Sequence, residues 1–268
     1  MNLCGMKIIT LTTDFGVADP FVGIMKGVIL GIAPDVRMVD LCHEIAPQDV
    51  VGGALALEAA APHFPPGTVH LAVIDPGVGS ERAAIAIESE RAFYVGPDNG
   101  LFELALRGDP LVRAVRLTNP TYHRPPVSPT FHGRDIFAPA AAHLAADVLL
   151  ESMGEPIDGL VSLNLPHPKR IGDSLEIHVL HVDRFGNLVT DIDGTGLANW
   201  LGPRKQTSLR LAIGSSTIRG LSKTYSDALP TALLAYFGSS GHLEIGIRNG
   251  SAARVLGVGP GAIVLATA

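Results

Sequence analysis

Three short apolar runs fall within the first 75 residues, two of them closing on an aspartate, with helical stretches between them. This alternation constrains the fold more than any other feature of the chain. Residues 7–12 (KIITLT) are rich in β-branched side chains and lead into Asp14-Phe15-Gly16. Pro20 opens the helical stretch PFVGIMKGVILGIAP, which ends before Pro34, so proline stands at both boundaries where a helix accepts it. Residues 36–41 read as a second strand, and residues 48–61 as an Ala-rich helix stopped by Pro62. Residues 68–74 (TVHLAVI) form a third strand, ending at Asp75-Pro76-Gly77. Strands over 83–87, 92–95 and 111–117 follow, with helices over 99–107 and 134–150. Strands alternating with helices predict a mainly parallel sheet covered on both faces.

The pattern changes after about residue 150. Residues 151–172 carry several prolines and glycines with little periodicity and read as a linker. Short strands are expected over 174–182, 188–191, 207–213, 243–248, 253–256 and 262–266, separated by Gly and Asp/Asn turns. Residues 229–237 fit either a helix or a loop. The expected fold class is therefore α/β: an N-terminal α/β domain over 1–165 with a mainly parallel sheet, and a smaller C-terminal all-β barrel domain over 173–268.

Composition narrows the partners. Hydrophobic residues make up 47% of the 268 and charged residues 17%, which suits a core-rich globular protein. The net charge is −6, and the only adjacent basic pairs are Lys169-Arg170 and Arg204-Lys205, so nucleic acid is not an expected partner. Cys4 and Cys42 have no metal or disulfide spacing and read as two reduced thiols of a cytoplasmic protein. No apolar run is long enough to cross a bilayer, and residues 1–7 lack the pattern of a secretory leader.

Ligands of open α/β sheets bind beyond the carboxyl ends of the strands. Polar clusters fall there: residues 12–16 (TTDFG) with Asp19, residues 75–79 (DPGVG) with Arg82, and residues 96–100 (GPDNG). His132-Gly133-Arg134-Asp135 precedes the last helix of the first domain. One aspartate after a strand is as readily a turn or a helix cap as a ligand. Several together resemble the rim of a pocket. Asp75 and Arg82 flank a glycine-rich loop, either as an ion pair that fixes it or as part of a reaction centre. His132 reads either as a cap or as a reacting group. No dinucleotide fingerprint, P-loop or nucleophile elbow is present. Asp14, Asp19, Asp75, His43 and His132 show no familiar metal-ligand spacing, and no metal is expected. In the second domain, residues 182–187 (VDRFGN) combine a carboxylate, an aromatic ring and an amide around Gly186. They fit a plain turn or a recognition loop for a flat base. Two further polar turns occur at 239–241 and 248–250.

Taken together, these stretches carry a family resemblance. TTDFG at 12–16, DPFVGIMKG at 19–27, DPGVG at 75–79 with Arg82, VGPDNG at 95–100, FHGRDIFAP at 131–139, DRFGNLVT at 183–190 and SSGHLEIGIRNG at 239–250 occur in order along nearly the whole chain. The chain resembles the S-adenosyl-L-methionine hydroxide adenosyltransferases, relatives of the fluorinase and chlorinase enzymes. The resemblance implies hydrolysis of S-adenosyl-L-methionine to adenosine and L-methionine, with water displacing the thioether at ribose C5'. It implies that Asp75, Arg82 and His132 position that water and that Asp14 grips the ribose hydroxyls. Asp19 corresponds to a pocket position near the methionine amino group. Asp183, Phe185 and Asn187 correspond to residues around the adenine and methionine moieties. Ser240, Arg248, Asn249 and Gly250 lie at substrate-binding turns. No cofactor is implied, because S-adenosyl-L-methionine is itself the substrate. A homotrimer is implied, with each site between the first domain of one subunit and the second domain of the next. Phe21 and the DPGVG loop depart from the halogenating relatives, which argues against halide as the nucleophile. The alternatives are halide-dependent adenosyl transfer and a non-catalytic sensor of the same ligand.

Overall fold

The computed structural model describes residues 7–202 and 208–268. Cys4 with the rest of residues 1–6, the Arg204-Lys205 pair and Thr207, where the expected strand 207–213 begins, lie outside the described residues. The chain divides into two compact units, residues 1–163 and 164–268.

The first unit is built on one seven-stranded sheet. Its strands are β1 (Ile8–Thr13), β2 (Arg37–Cys42), β3 (Val69–Val73), β4 (Ala84–Ser89), β5 (Phe93–Pro97), β6 (Leu111–Arg116) and β7 (Glu155–Pro156), in the order β2-β1-β3-β5-β4-β6-β7. Pairing is parallel through β2, β1, β3 and β5 and antiparallel from β5 onward. The expected α/β layering is present. Helices α1 (Phe21–Ile32) and α4 (Ala138–Ala145) pack together, as do α2 (Val50–Ala60) and α3 (Glu103–Gly108). Met25, Ile29 and Phe137 share one core with Ile9, Leu11 and Leu71, whereas Leu57 and Leu101 share another with Ile74, Ile85 and Tyr94. A sheet covered on both faces demands strands without polar alternation, and every residue of β3 is accordingly buried.

The expected helix over 134–150 is shorter and begins differently. A π-helical turn, Gly133–Phe137, precedes α4, and α4 stops at Ala145. Asp147 takes a left-handed backbone, φ 63°, which no helix can propagate, and its carboxylate pairs with Lys7 at 2.5 Å.

The second unit is an antiparallel barrel-like sheet, as expected. Its strands are β8 (Lys169–Ile171), β9 (Ser174–Val182), β10 (Leu188–Asp193), β11 (Arg210–Ile213), β12 (Ser216–Arg219), β13 (Leu233–Phe237), β14 (His242–Ile247) and β15 (Ile263–Thr267). They run in the order β12-β11-β15-β9-β10-β14-β13, with β8 on β9, and the two ends of the path, β12 and β13, touch. Leu175, Ile177, Leu211, Leu243, Ile245 and Val264 fill the interior.

Three local expectations change here. Residues 229–237 contain the strand β13. Residues 253–256 belong to a helix, α6 (Ala252–Leu256), because the Ser251 hydroxyl accepts the Arg254 amide and caps its first turn. A helix α5 (Gly194–Leu201), unforeseen in the sequence, is capped by Asp193, which accepts the Gly196 amide at 2.6 Å. In both helices a short capping side chain outweighs composition.

Candidate active site

The site of the first unit is assembled at the ends of β1 and β3 and in the segment before α4. Asp75 leaves β3 and enters the DPGVG loop. Gly79 holds φ +78°, and a Cβ there would stand 2.5 Å from the Pro129 carbonyl oxygen. Glycine therefore lets this loop press against the segment that carries His132, fifty residues further along.

That approach brings Asp75, Arg82 and His132 together. Arg82 Nε donates to Asp75 Oδ1 at 2.8 Å, and Arg82 Nη2 donates to Asp75 Oδ2 in a short second contact. The same Nη2 lies 2.8 Å from His132 Nδ1. The guanidinium also stands over the Phe137 ring, 5.2 Å from its centroid. The side chains of Asp75 and Arg82 are only 5% and 10% exposed, so this fork is shielded from water and held in one geometry. Burial and the Arg82 charge lower the His132 pKa, and the carboxylates of Asp75 and Asp135 only partly offset this. His132 is therefore neutral at physiological pH.

Asp135 organises the segment around His132. Its side chain is fully buried and accepts two bonds from Arg134 at 2.7 Å and one from the Ser128 amide at 2.9 Å, while its carbonyl accepts the Arg124 amide. Burial opposes the charge of Asp135, but these bonds hold its pKa below the usual carboxylate value. The wide π-helical turn that follows sets His132 at its mouth, as such turns do in many functional sites.

Asp14 follows β1 and accepts the Gln48 amide through Oδ2 at 2.8 Å. Behind it, Thr13 meets His43 Nδ1 at 2.9 Å, and the Gly16 amide donates to the His43 carbonyl. Asp19 is exposed. Phe15, Phe21 and Phe131 form an edge-to-face cluster with ring centroids 5.4–6.1 Å apart. Among the described residues, Asp14, Asp19, Asp75, His43 and His132 form no group of metal-ligating geometry.

In the second unit, Asp183 closes the DRFGN turn. Its Oδ1 accepts the amides of Phe185 and Asn187, and its Oδ2 accepts Asn187 Nδ2 at 2.7 Å. Gly186 is at φ +84°, and a Cβ there would lie 2.0 Å from Ser251 Oγ, so only glycine lets the turn seat against the start of α6. The turn leaves Phe185 77% exposed and Asn187 buried. A concavity of about 890 Å³ is lined by Phe185, Asn187, Tyr225, Arg248, Asn249 and Gly250, among others. Five of the expected substrate residues thus face one space, with Asp183 bracing Asn187. Ser240 does not join them: it lies in the β13–β14 turn, at the end of β14 opposite Arg248.

Tyr225 escaped the sequence reading. Asn187 Nδ2 donates to its hydroxyl at 3.0 Å, that hydroxyl meets the Tyr236 hydroxyl in a short contact, and Tyr236 donates to Glu244 at 2.6 Å. Burial raises the Glu244 pKa. The segment around Tyr225 is an irregular capped turn with no periodicity to flag it, and its partners come from the DRFGN turn and β13.

The fold and the two clusters define a two-domain protein, α/β then barrel-like, with a charged hydrogen-bonded triad at its strand ends and an aromatic-lined hollow on its barrel unit. The chain belongs to the SAM hydroxide adenosyltransferase family, whose N-terminal domain matches residues 9–154 and whose C-terminal domain matches residues 177–265. It is 40% identical over 271 residues to the (R)-S-adenosyl-L-methionine hydrolase of Thermus thermophilus, covering 96% of this chain and 98% of that protein. A fluorinase from Nocardia brasiliensis is 30% identical over 89% of each chain. The crystal structure of an uncharacterized conserved protein from Thermotoga maritima superposes with a TM-score of 0.89 at 31% identity, covering 97% of this chain and all of that one.

Proposed function

We propose that this protein hydrolyses S-adenosyl-L-methionine to adenosine and L-methionine. The observation that carries the reading is the Asp75–Arg82–His132 cluster, on a chain that matches named hydrolases of this substrate over nearly its full length. The sulfonium is already a good leaving group, since departure neutralises its charge, so the protein needs no general acid. Its task is to hold one water in line with the C5'–S bond, opposite sulfur, and such positioning is worth several orders of magnitude in rate. Asp75, Arg82 and His132 are the water-positioning set.

Asp14 takes the paired ribose hydroxyls, for which a carboxylate is a matched acceptor. Asp19 faces the amino acid end. Phe185 offers its exposed ring to adenine, with Asn187, Asn249 and Gly250 reading the base edge. Asp183 serves the substrate by holding Asn187, and Ser240 and Arg248 belong to the polar substrate-binding turns at either end of β14. No cofactor takes part. The (R)-sulfonium epimer is the form for which the relatives are named.

The working form is a homotrimer in the cytoplasm. Supporting self-association, α1 exposes Ile24 and Leu30 beside Gly23, Gly27 and Gly31, an apolar face of the kind that subunit contacts cover. No described helix is long and apolar enough to cross a membrane.

Incubation with each sulfonium epimer in oxygen-18 water tests the reading. Label is expected at the 5' hydroxyl of adenosine, with unlabelled methionine released. Product that forms only with added chloride would instead make this a halogenating enzyme, and bound but unchanged substrate would make it a sensor.

A further inference from the structure

The proposed reaction releases a proton from water, and the three residues of the cluster are not equally able to receive it. Arg82 is an obligate donor, with five N–H groups and no acceptor atom. Its Nη2 carries two hydrogens. One points to Asp75 Oδ2, which leaves the other for His132 Nδ1 at 2.8 Å. A nitrogen that meets a guanidinium N–H must offer its lone pair. His132 Nδ1 is therefore the unprotonated nitrogen, and the imidazole proton sits on Nε2.

This leaves His132 with no lone pair to give. Nδ1 spends its only one on Arg82, and Nε2 presents a hydrogen. Asp75 differs: each carboxylate oxygen accepts one bond from Arg82 and keeps a second acceptor site.

Resting on the proposed hydrolysis, we infer that His132 acts as a fixed hydrogen-bond donor through Nε2–H and that Asp75 is the acceptor of the water proton. The nucleophile is then held at two points. One water hydrogen goes to Asp75, one oxygen lone pair accepts from His132 Nε2–H, and the other lone pair is left for carbon. As the O–C5' bond forms, the C5'–S electron pair returns to sulfur and neutralises the sulfonium. The water proton passes to the Asp75 carboxylate and from there to solvent. Arg82 sets both partners, fixing the Asp75 carboxylate and imposing the His132 tautomer.

The assignment also explains why the ring works neutral. A proton on Nδ1 would point an N–H at the N–H of Arg82. Arg82 and His123 oppose that protonation, and Asp75 and Asp135 favour it; burial together with Arg82 outweighs the carboxylates.

The test is a comparison of His132→Gln, His132→Asn and His132→Ala, each checked for an unchanged melting temperature and KM. The glutamine amide nitrogen reaches the Nε2 position and can donate, whereas asparagine supplies only the acceptor facing Arg82. The expected result is that His132→Gln keeps kcat within about tenfold of wild type, while Asn and Ala lose about a hundredfold or more, the usual worth of one positioned donor. If all three variants lose activity equally, the donor role is overturned. Wild type that releases no adenosine would sink the hydrolase reading itself, a separate outcome.

Discussion

Two histidines of the first unit, His132 in the site and His70 in the middle of β3, show how partner chemistry outweighs burial in deciding a role. Burial lowers both pKa values. His70 is 1% exposed, sits opposite Thr10 on β1 and Tyr94 on β5, and is pushed down to about 4, the charge of Asp109 offsetting only part of that. Its Nδ1 meets the Thr10 hydroxyl at 2.8 Å, and its ring stacks on Tyr94 at 5.2 Å. A hydroxyl can donate or accept, so nothing there imposes a tautomer, and the ring belongs to the packing of three strands. His132 faces an obligate donor at Nδ1, which fixes its proton on the other ring nitrogen. The more buried histidine is structural, and the less buried one is chemically directed.

The largest effect that tests this contrast lies on the site side. Asp75→Asn keeps the shape of the carboxylate but removes its charge and half of its acceptor capacity. kcat should fall about a thousandfold, within the range typical of proton-transfer groups, while single-turnover binding of substrate changes little. Retention of full activity would mean that the acceptor lies elsewhere.

An intermediate effect concerns stability. The folded pKa of His70 lies below its unfolded value of 6.5, so the unfolded chain binds more protons between those values. Stability should fall as pH drops below 6.5, with the loss complete near pH 4 and on the order of 3 kcal/mol. Chemical denaturation at pH 7 and at pH 4.5 measures it. His70→Phe should flatten this slope and leave kcat at pH 7 unchanged, and an unaltered slope would assign the acid sensitivity to another group. Asp135, whose pKa is depressed, loses its contribution only below the ordinary carboxylate range, so the two windows separate.

The smallest effect lies at the far edge of the buried cluster. The Ser89 hydroxyl donates to Asp109 at 2.6 Å and accepts the Ala92 amide, and Tyr94 donates to the same carboxylate at 3.2 Å. Ser89→Ala should cost about 1 kcal/mol in unfolding free energy, with no change in kcat. A catalytic defect there would erase the distinction between the two clusters.

The layer order, the parallel half of the sheet and the polar strand ends were legible because each depends on local pattern: apolar runs for buried strands, prolines at helix limits, aspartates where strands stop. Asp75, Arg82, His132, Asp14, Phe185, Asn187, Arg248, Asn249 and Gly250 all belong to motifs that can be read in one dimension. What pattern could not reach were features set by a partner distant in the chain or by a single capping side chain. Ser251 and Asp193 turned weakly helical stretches into α6 and α5. Asp147 ended α4 five residues before the expected limit. Tyr225 gained its place through Asn187, Tyr236 and Glu244, which lie 38, 11 and 19 residues away in the sequence.

By itself, the sequence determined which residue types stand at the strand ends and that two different architectures follow one another. Only the tertiary structure decided what those residues can do, because the close approach at Gly79 carries the DPGVG loop to the segment before α4 and puts one guanidinium against both a carboxylate and an imidazole. Hydrogen-bond direction is a property of the pair and not of either residue, so it is absent from any reading of the chain alone.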